Sequence, residues 1–545
     1  MKKRILSAVY VIVIGIVMTG AIIAHSEKVR SVKTFTAFFA TTGVVIDSDN
    51  DIKQIIADKT GAQCEEIWLN GETAEEATYM YIANGVYPDF ISADRNLYDA
   101  KALIPIDEYW DEYPNIYYYL SPDEWNELRQ DDGHVYWIPQ FGVGDSDACD
   151  VIHDGEAFWI QTRVLKWAGY PEVRTLDEYF DLIERYVESN PTMENGRQNI
   201  PFTILCDDWR YFCLENPPQF LDGYPNDGCC MVDPVNLKVL DYNNTPTAKE
   251  YFRKLNEEYK KGIVDPESFT GTYEEYLDKL STGAVLGMVD QWWDFSYVTG
   301  PQFAQNGLIN QGCDYVPLPI TISEDVKNQW HVKRTNTFDV SSGIGITVSC
   351  DDVEGAMQFV NDLLDEDIET LRFWGVENVD YEVDEDGVFY YEDEQKSRSS
   401  DEKLKVSHFC NYSYFPRKEG IMSDGKNCFL PEYQNTNFID SLPEDVAECF
   451  KAYGCSNYVD MLGTNDKPGE WYPMYSYSKQ LTYSTDVGKV KTTIDEVKHI
   501  WLPQVVLADD FDQTWQLYMD AYNACSPEIL SQDMQKELER RIGKQ

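Results

Sequence analysis

Strand-like and helix-like segments alternate without a break from Lys33 to Asp94, and that alternation restricts the fold more than any other feature of the chain. Lys33–Ala40 (KTFTAFFA) has the β-branched and aromatic content of a strand. Asp51–Lys59 sets Ile52, Ile55 and Ile56 on one helical face and runs into Gly61, which suits the left-handed end of a helix. Cys64–Leu69 reads as a second strand, Thr73–Ala83 as a second helix and Asp89–Ser92 as a third strand. Such a succession implies parallel pairing through right-handed crossovers, the start of a doubly wound α/β lobe.

The pattern returns farther on with different content. Thr175-Leu-Asp-Glu178 is a capping box, in which the hydroxyl and the carboxylate each satisfy a free backbone N–H. The helix it opens carries Leu176, Phe180, Ile183 and Val187 on one stripe and stops at Asn190-Pro191. A second box, Thr272 to Glu275, precedes a helix ending near Gly283, and the apolar run Ala284–Val289 then leads to Asp290-Gln-Trp-Trp293. Gly343–Thr347 reads as a strand, Asp352–Leu364 as a helix, and Asp384-Glu-Asp-Gly387 between aromatic flanks as a hairpin turn. At 545 residues the chain exceeds one ordinary core, so two or more lobes are expected.

Charge excludes one class of partner. With 95 acidic against 45 basic side chains the net charge is −50, a field that repels phosphate backbones and anionic lipid head groups. Nucleic acid is therefore no partner. No phosphate-cradling GxxxxGK[ST], GxGxxG after a strand, GxSxG elbow or HExxH is present, and six histidines are scattered. No cofactor is implied. Structural calcium has weak support: Asp47–Asp51 alternates carboxylates without glycine or distant Glu in register, and the Asp384 turn lacks the other ligand positions. Thirteen cysteines leave two readings open, disulfides with one thiol over or buried small hydrophobes.

Lys2, Lys3 and Arg4 precede an uncharged apolar run from Ile5 to Ala24, and small residues follow before Glu27. This is the pattern of a secretory signal, and the run is also long enough to stay as a membrane anchor. Either way the rest of the chain is exported.

Fourteen Trp and 37 Tyr are more than a core needs. Many sit beside polar residues at strand ends or in loops, as at Phe158-Trp159, Trp209-Arg210-Tyr211 and Trp292-Trp293. Sugars present apolar C–H faces ringed by hydroxyls, so flat aromatic faces beside carboxylates and guanidinium groups suit them. In an open α/β sheet such a site lies beyond the carboxyl ends of the strands, where Asp94 and Trp292-Trp293 fall.

A series of short motifs in order carries a family resemblance over nearly the whole chain after Glu27. Pro88-Asp89-Phe-Ile-Ser-Ala-Asp94, Ala102-Leu-Ile-Pro105-Ile-Asp107 and Asp132-Gly-His-Val-Tyr136-Trp-Ile-Pro139 come first. Phe158–Gly169 with Thr175–Glu178, Ser281–Met288 with Trp292-Trp293, Tyr315–Pro319, and Phe373–Gly375 with Tyr381 follow. Together they resemble the extracellular solute-binding proteins of family 1, the large lipoprotein-like Gram-positive type. The resemblance implies a type II periplasmic-binding-protein-like fold: two α/β lobes, each a mainly parallel sheet flanked by helices, joined by a hinge. Residues 27–150 with about 319–370 would form one lobe, and 151–318 with about 371–545 the other.

It further implies an ABC importer's receptor that binds a sugar or oligosaccharide in the interlobe cleft, acts as a monomer, delivers to a membrane permease and catalyses nothing. Carried onto matching positions, the ligand contacts would be Trp292, Trp293, Asp94, Trp159, Arg163, Trp209 and Tyr211. One departure stands out: the segment Thr19–Ser26 lacks the cysteine that lipoprotein members carry there, so lipidation is not supported. Two rival classes remain. A secreted carbohydrate-active hydrolase would need two carboxylates facing each other across the cleft, and a tethered solute sensor would need the N-terminal helix uncleaved.

Overall fold

The computed structural model describes residues 32–543 except 146–150, 154, 333–337, 400, 435–437 and 464–467. Residues 1–26, expected from sequence to be a signal or anchor, lie outside the described residues, as does Cys149. No helix among the described residues is long and apolar enough to cross a membrane.

The first lobe is built on a four-stranded sheet. Lys33–Phe38 pairs in parallel with Ala62–Ile67 on one side and Phe90–Ala93 on the other, and Gly343–Ile346 adds antiparallel to Phe90–Ala93. Local chemistry sets the crossovers. Asn50 caps the helix Asp51–Thr60 through Lys53 N, and Gly61 closes it at φ 77°. Thr73 and Glu76 form a capping box on the helix Ala74–Asn84. The Asp89 carboxylate accepts from both the amide (2.8 Å) and hydroxyl (2.9 Å) of Thr36, fixing two strand ends against each other. Phe35, Phe90, Phe359 and Phe415 interlock beneath the sheet.

The second lobe departs from the mainly parallel expectation. Its order is Tyr315–Leu318, Glu156–Gln161, Val285–Gln291, Ile200–Ile204; the first two pairings are antiparallel and only the last is parallel. Glu156–Gln161 enters from the other lobe rather than from a crossover helix, so it runs against Val285–Gln291. All six of its residues are buried, as a central strand covered on both faces requires. The Thr175 and Thr272 capping boxes open Leu176–Ser189 and Tyr273–Ser281 as expected. Three C-terminal helices, Asp486–Leu507, Phe511–Ala524 and Pro527–Arg541, complete this lobe, and the buried Asn256 amide anchors them through Val506 O (2.8 Å) and Ala508 O (2.7 Å).

The two hydrophobic cores redraw the expected boundaries. Ile320 and Trp330 belong to the second core, while Cys410, Tyr412 and Phe415 belong to the first. The chain thus passes between cores after Val143, after Trp330 and after Phe415. The segment beyond residue 371 stays with the first lobe because the buried Arg372 guanidinium ties it there, donating to Asn411 O, Leu363 O, Pro416 O and Tyr412 O, each at 2.9 Å.

Two further expectations meet the structure here. None of the twelve described cysteines is in a disulfide and nine of them are buried, which fits the small-hydrophobe reading. The acidic turn is a hairpin, Glu382–Val383 against Phe389–Tyr390, and the Asp47–Asp51 stretch serves as a helix start, with Asp51 Oδ2 2.8 Å from His408 Nδ1.

Candidate ligand-binding cleft

The floor of the second lobe is set where Val285–Gln291 ends and the backbone turns directly into the helix Trp292–Gln305. Trp293, 41% exposed, stacks on Trp209, 42% exposed, with ring centroids 5.8 Å apart and planes 13° from parallel. The Trp293 Nε1–H donates to Gln291 Oε1 (2.6 Å), which holds the ring. Beneath this platform Arg210 lies over Trp209 (4.3 Å) and Tyr273 (3.6 Å), and its Nε–H donates to both oxygens of Asp294 (2.8 and 3.2 Å). The Tyr273 hydroxyl donates to Asp294 O (2.5 Å) and meets the Tyr297 hydroxyl at 2.9 Å.

Burial alone would lower the Arg210 pKa, but the adjacent Asp294 charge outweighs it and holds the guanidinium above its ordinary value. Asp294 and its neighbour Asp290 are both pushed up by burial, Asp290 well above the carboxylate range because the Asp294 charge adds to the effect. The Arg210 cation at this floor is therefore already neutralised by its own carboxylate.

The first lobe supplies the facing wall. Tyr414 packs against Trp68 (5.4 Å) and Phe141 (5.6 Å). Burial raises the Tyr414 hydroxyl, and the charges of Arg210 and Asp294 act on it from the other lobe. At the rim the lobes touch directly, where the Ala74 amide at the start of its helix donates to Asp208 Oδ2 (3.4 Å).

Of the residues expected from sequence, the structure brings Trp209 and Trp293 together. Trp292 is half-buried and turned inward, against Trp159 (5.2 Å) and Tyr458 (4.8 Å). Trp159 has no exposed surface and donates its Nε1–H to Asp290 O (2.8 Å), so it is core and offers no face to a ligand. Arg163 is also displaced from the role expected of it. Because Glu156–Gln161 runs antiparallel to Val285–Gln291, Arg163 emerges at the opposite end of the sheet from Trp293, where it holds Gln161 Oε1, Asn199 Oδ1 and Gly283 O. Tyr211 stacks on His499 (3.8 Å) in a C-terminal helix and donates to His499 O (3.0 Å), away from the platform. Asp94 follows the strand Phe90–Ala93 as expected, but its oxygens accept from Leu97 N (3.0 Å) and Asn96 Nδ2 (3.0 Å) as a helix cap.

Sequence reasoning missed Arg210, Tyr273, Asp294, Tyr297, Trp68 and Tyr414. Arg210 and Asp294 adjoin residues that were singled out, and a buried pair beside an exposed aromatic could have been suspected. Nothing in the sequence joins Tyr414 to a tryptophan pair far from it in the chain.

Two α/β lobes with three chain passages between their cores match the two-lobed fold that the motifs led one to expect. The resemblance drawn from the motifs is borne out at that level. Among solved structures, the chain is similar to the Streptococcus pneumoniae ABC-transporter substrate-binding protein FusA, an EF-hand mutant in complex with fructo-nystose. The TM-score is 0.64 at 17% identity, over 94% of this chain and 100% of that one. The alginate-binding protein AlgQ2 without calcium ion (0.61, 15%, 93% and 98%) and the N-glycan transport solute binding protein NgtS from Streptococcus pneumoniae (0.53, 15%, 94% and 99%) share the fold. In sequence, the chain is 25% identical over 308 residues to the fructooligosaccharide ABC transporter substrate-binding protein FusA of Streptococcus pneumoniae serotype 4. That match spans 52% of this chain and 52% of the relative, about half of each. No family model matches the chain.

Proposed function

We propose that this protein is the extracytoplasmic substrate-binding protein of an ABC importer and that it takes a neutral oligosaccharide between its lobes. The observation that carries this reading is the exposed Trp209–Trp293 stack above an Arg210–Asp294 pair whose charges offset each other. Sugar rings supply the apolar faces for the tryptophans and hydroxyls for the Tyr297 and Tyr414 side. Closure follows from a ligand touching both lobes, since its differential affinity sets the closed population. The relatives' printed roles as oligosaccharide-binding transport proteins support the same cargo class and a permease as partner. Export through the Ile5–Ala24 segment, by cleavage or as an anchor, and action as a monomer belong to the same proposal.

A hydrolase is disfavoured on this floor. Asp290, a carboxyl raised well above its ordinary range, has no exposed surface and is held by the Tyr276 hydroxyl (2.6 Å), out of a glycan's reach.

A thermal-shift screen of the chain from Glu27 against fructo-, manno- and gluco-oligosaccharides, with peptides as controls, tests the reading. A ligand at about a hundredfold excess over its Kd stabilises the native state by about 2.7 kcal/mol. The expected result is a raised Tm with one glycan class, recovered intact. A shift with peptides alone, or recovery of cut glycan, overturns it.

A further inference from the structure

The loop between the helix Pro217–Leu221 and the hairpin that begins at Met231 carries a cluster the cleft does not use. A turn at Gly228, φ 73°, gathers Asp227, Cys229 and Cys230, with one donor atom from each lying within 4.8 Å of the others. Asp227 and Cys230 are buried, while Cys229 is partly exposed and leaves a way in. Cys229 Sγ stands 3.4 Å from Asp227 Oδ1 and 3.7 Å from Cys230 Sγ.

Those separations match the edges of a metal tetrahedron. Zinc–sulfur bonds of about 2.3 Å and a zinc–oxygen bond of about 2.0 Å place two sulfurs about 3.8 Å apart and a sulfur and oxygen about 3.5 Å apart. The surroundings also ask for a cation. No Lys or Arg among the described residues forms an ion pair with Asp227, whose carboxylate meets the Cys229 thiol and the backbone of Met474 and Tyr475. The Arg541 guanidinium donates to Trp471 O (2.8 Å) and Pro473 O (2.6 Å) and pairs with Glu537 (2.7 Å). Two thiolates and a carboxylate around a divalent ion carry one net negative charge.

The geometry points to a thiophilic divalent-metal site at Asp227, Cys229 and Cys230, with zinc as the ion its ligands suit and water in the fourth position. Two soft sulfurs argue against magnesium and calcium. Binding breaks two S–H bonds and forms two metal–sulfur bonds and one metal–oxygen bond, and both protons pass to solvent. The ion locks a corner of the second lobe, because Asn226 O already accepts from the Tyr472 hydroxyl (2.7 Å) and Arg541 ties in the C-terminal helix. This inference is independent of the ligand in the cleft.

The test uses the full chain, reduced and stripped with a chelator, titrated with Zn2+ or Co2+ alone. The expected result is one ion per chain, a sulfur-to-cobalt charge-transfer band, and release of close to two protons. Zinc should slow alkylation of Cys229 and Cys230 by about tenfold or more without protecting Cys525, because a bound thiolate is a poor nucleophile. C229S and C230S should lose the cobalt band, and D227N should weaken zinc binding by about tenfold. The alkylation footprint needs no variant, so a folding failure in the serine substitutions leaves the test intact. Cobalt bound without the sulfur band, zinc stoichiometry unchanged in C229S, or no protection of the two thiols would overturn the assignment.

Discussion

The two lobes bury charge in opposite ways. In the first lobe the guanidinium of the buried Arg372 is satisfied by five backbone carbonyls, and burial lowers its pKa to about 10. In the second lobe the guanidinium of the buried Arg210 is satisfied by a carboxylate, Asp294, with the buried Asp290 beside it. Carbonyls bound to an arginine can do one thing, which is to hold a loop. Carboxylates stacked under an exposed aromatic pair set the polarity of a surface a ligand meets. The first lobe is thus a scaffold with a wall, and the second carries the floor on which recognition depends.

Removing Arg372 should break this contrast most severely. Arg372→Met leaves the carbonyls of Leu363, Asn411, Tyr412, Phe415 and Pro416 without their donor. At about 1–3 kcal/mol for each orphaned buried group, a loss of about 5 kcal/mol or more is expected, read as collapse of the folded fraction in urea titration. A small shift would mean that the 409–417 segment does not depend on the guanidinium. Asp294→Ala comes next. It strands a buried Arg210, so about 3–5 kcal/mol is expected by the same measurement, together with loss of glycan binding in whatever fraction still folds.

How far the sequence reached follows the same divide. The first lobe was legible because its strands and helices are consecutive and each end carries its own signal, such as Asn50, Gly61 and the Thr73 box. The mixed sheet of the second lobe was not, because strand direction depends on where Glu156–Gln161 enters, a fact of chain routing rather than of local pattern. That one reversal also explains why Arg163 was misplaced. Trp209 and Trp293 were legible as exposed-turn aromatics, whereas Trp159, equally flanked by polar residues, proved to be core, since composition cannot separate the two fates of a tryptophan. Tyr414 was out of reach, because long-range tertiary packing alone brings it to the cleft.

Substitutions that divide binding from stability sharpen the assignment of floor and scaffold. Trp293→Ala removes an exposed stacking face and should cost about 1–2 kcal/mol of glycan affinity, seen by calorimetry as roughly tenfold or more in Kd, with stability changed by about 0.5 kcal/mol. Arg163→Ala, at the far end of the sheet, should leave that Kd unchanged and lower Tm through the lost bonds to Asn199 and Gly283. The reverse pattern would move the site away from the Trp209–Trp293 stack.

The smallest effect separates the lobes by their response to acid. His408, in the first lobe, bridges Asp51 (2.8 Å) and the buried Asp380 (2.9 Å), which Arg398 also approaches. Burial works against its charge, yet these hydrogen bonds outweigh it and its pKa rises. A folded pKa above the unfolded one means the contribution is complete below about pH 6.5 and fades as pH climbs through the folded value. His499, in the second lobe beneath Tyr211, is shifted down by burial, with Lys498 and Lys491 reinforcing it against Glu215 and Asp495. Its sign is opposite: the unfolded chain takes the proton first, so stability falls as pH drops below about 6.5. His408→Asn should therefore lower Tm more at acid than at alkaline pH, while His499→Phe should narrow the native protein's acid-induced loss. If both substitutions shift Tm equally at every pH, the two histidines do not titrate with folding, and the electrostatic contrast between the lobes rests on Arg372 and the Arg210–Asp294 pair alone.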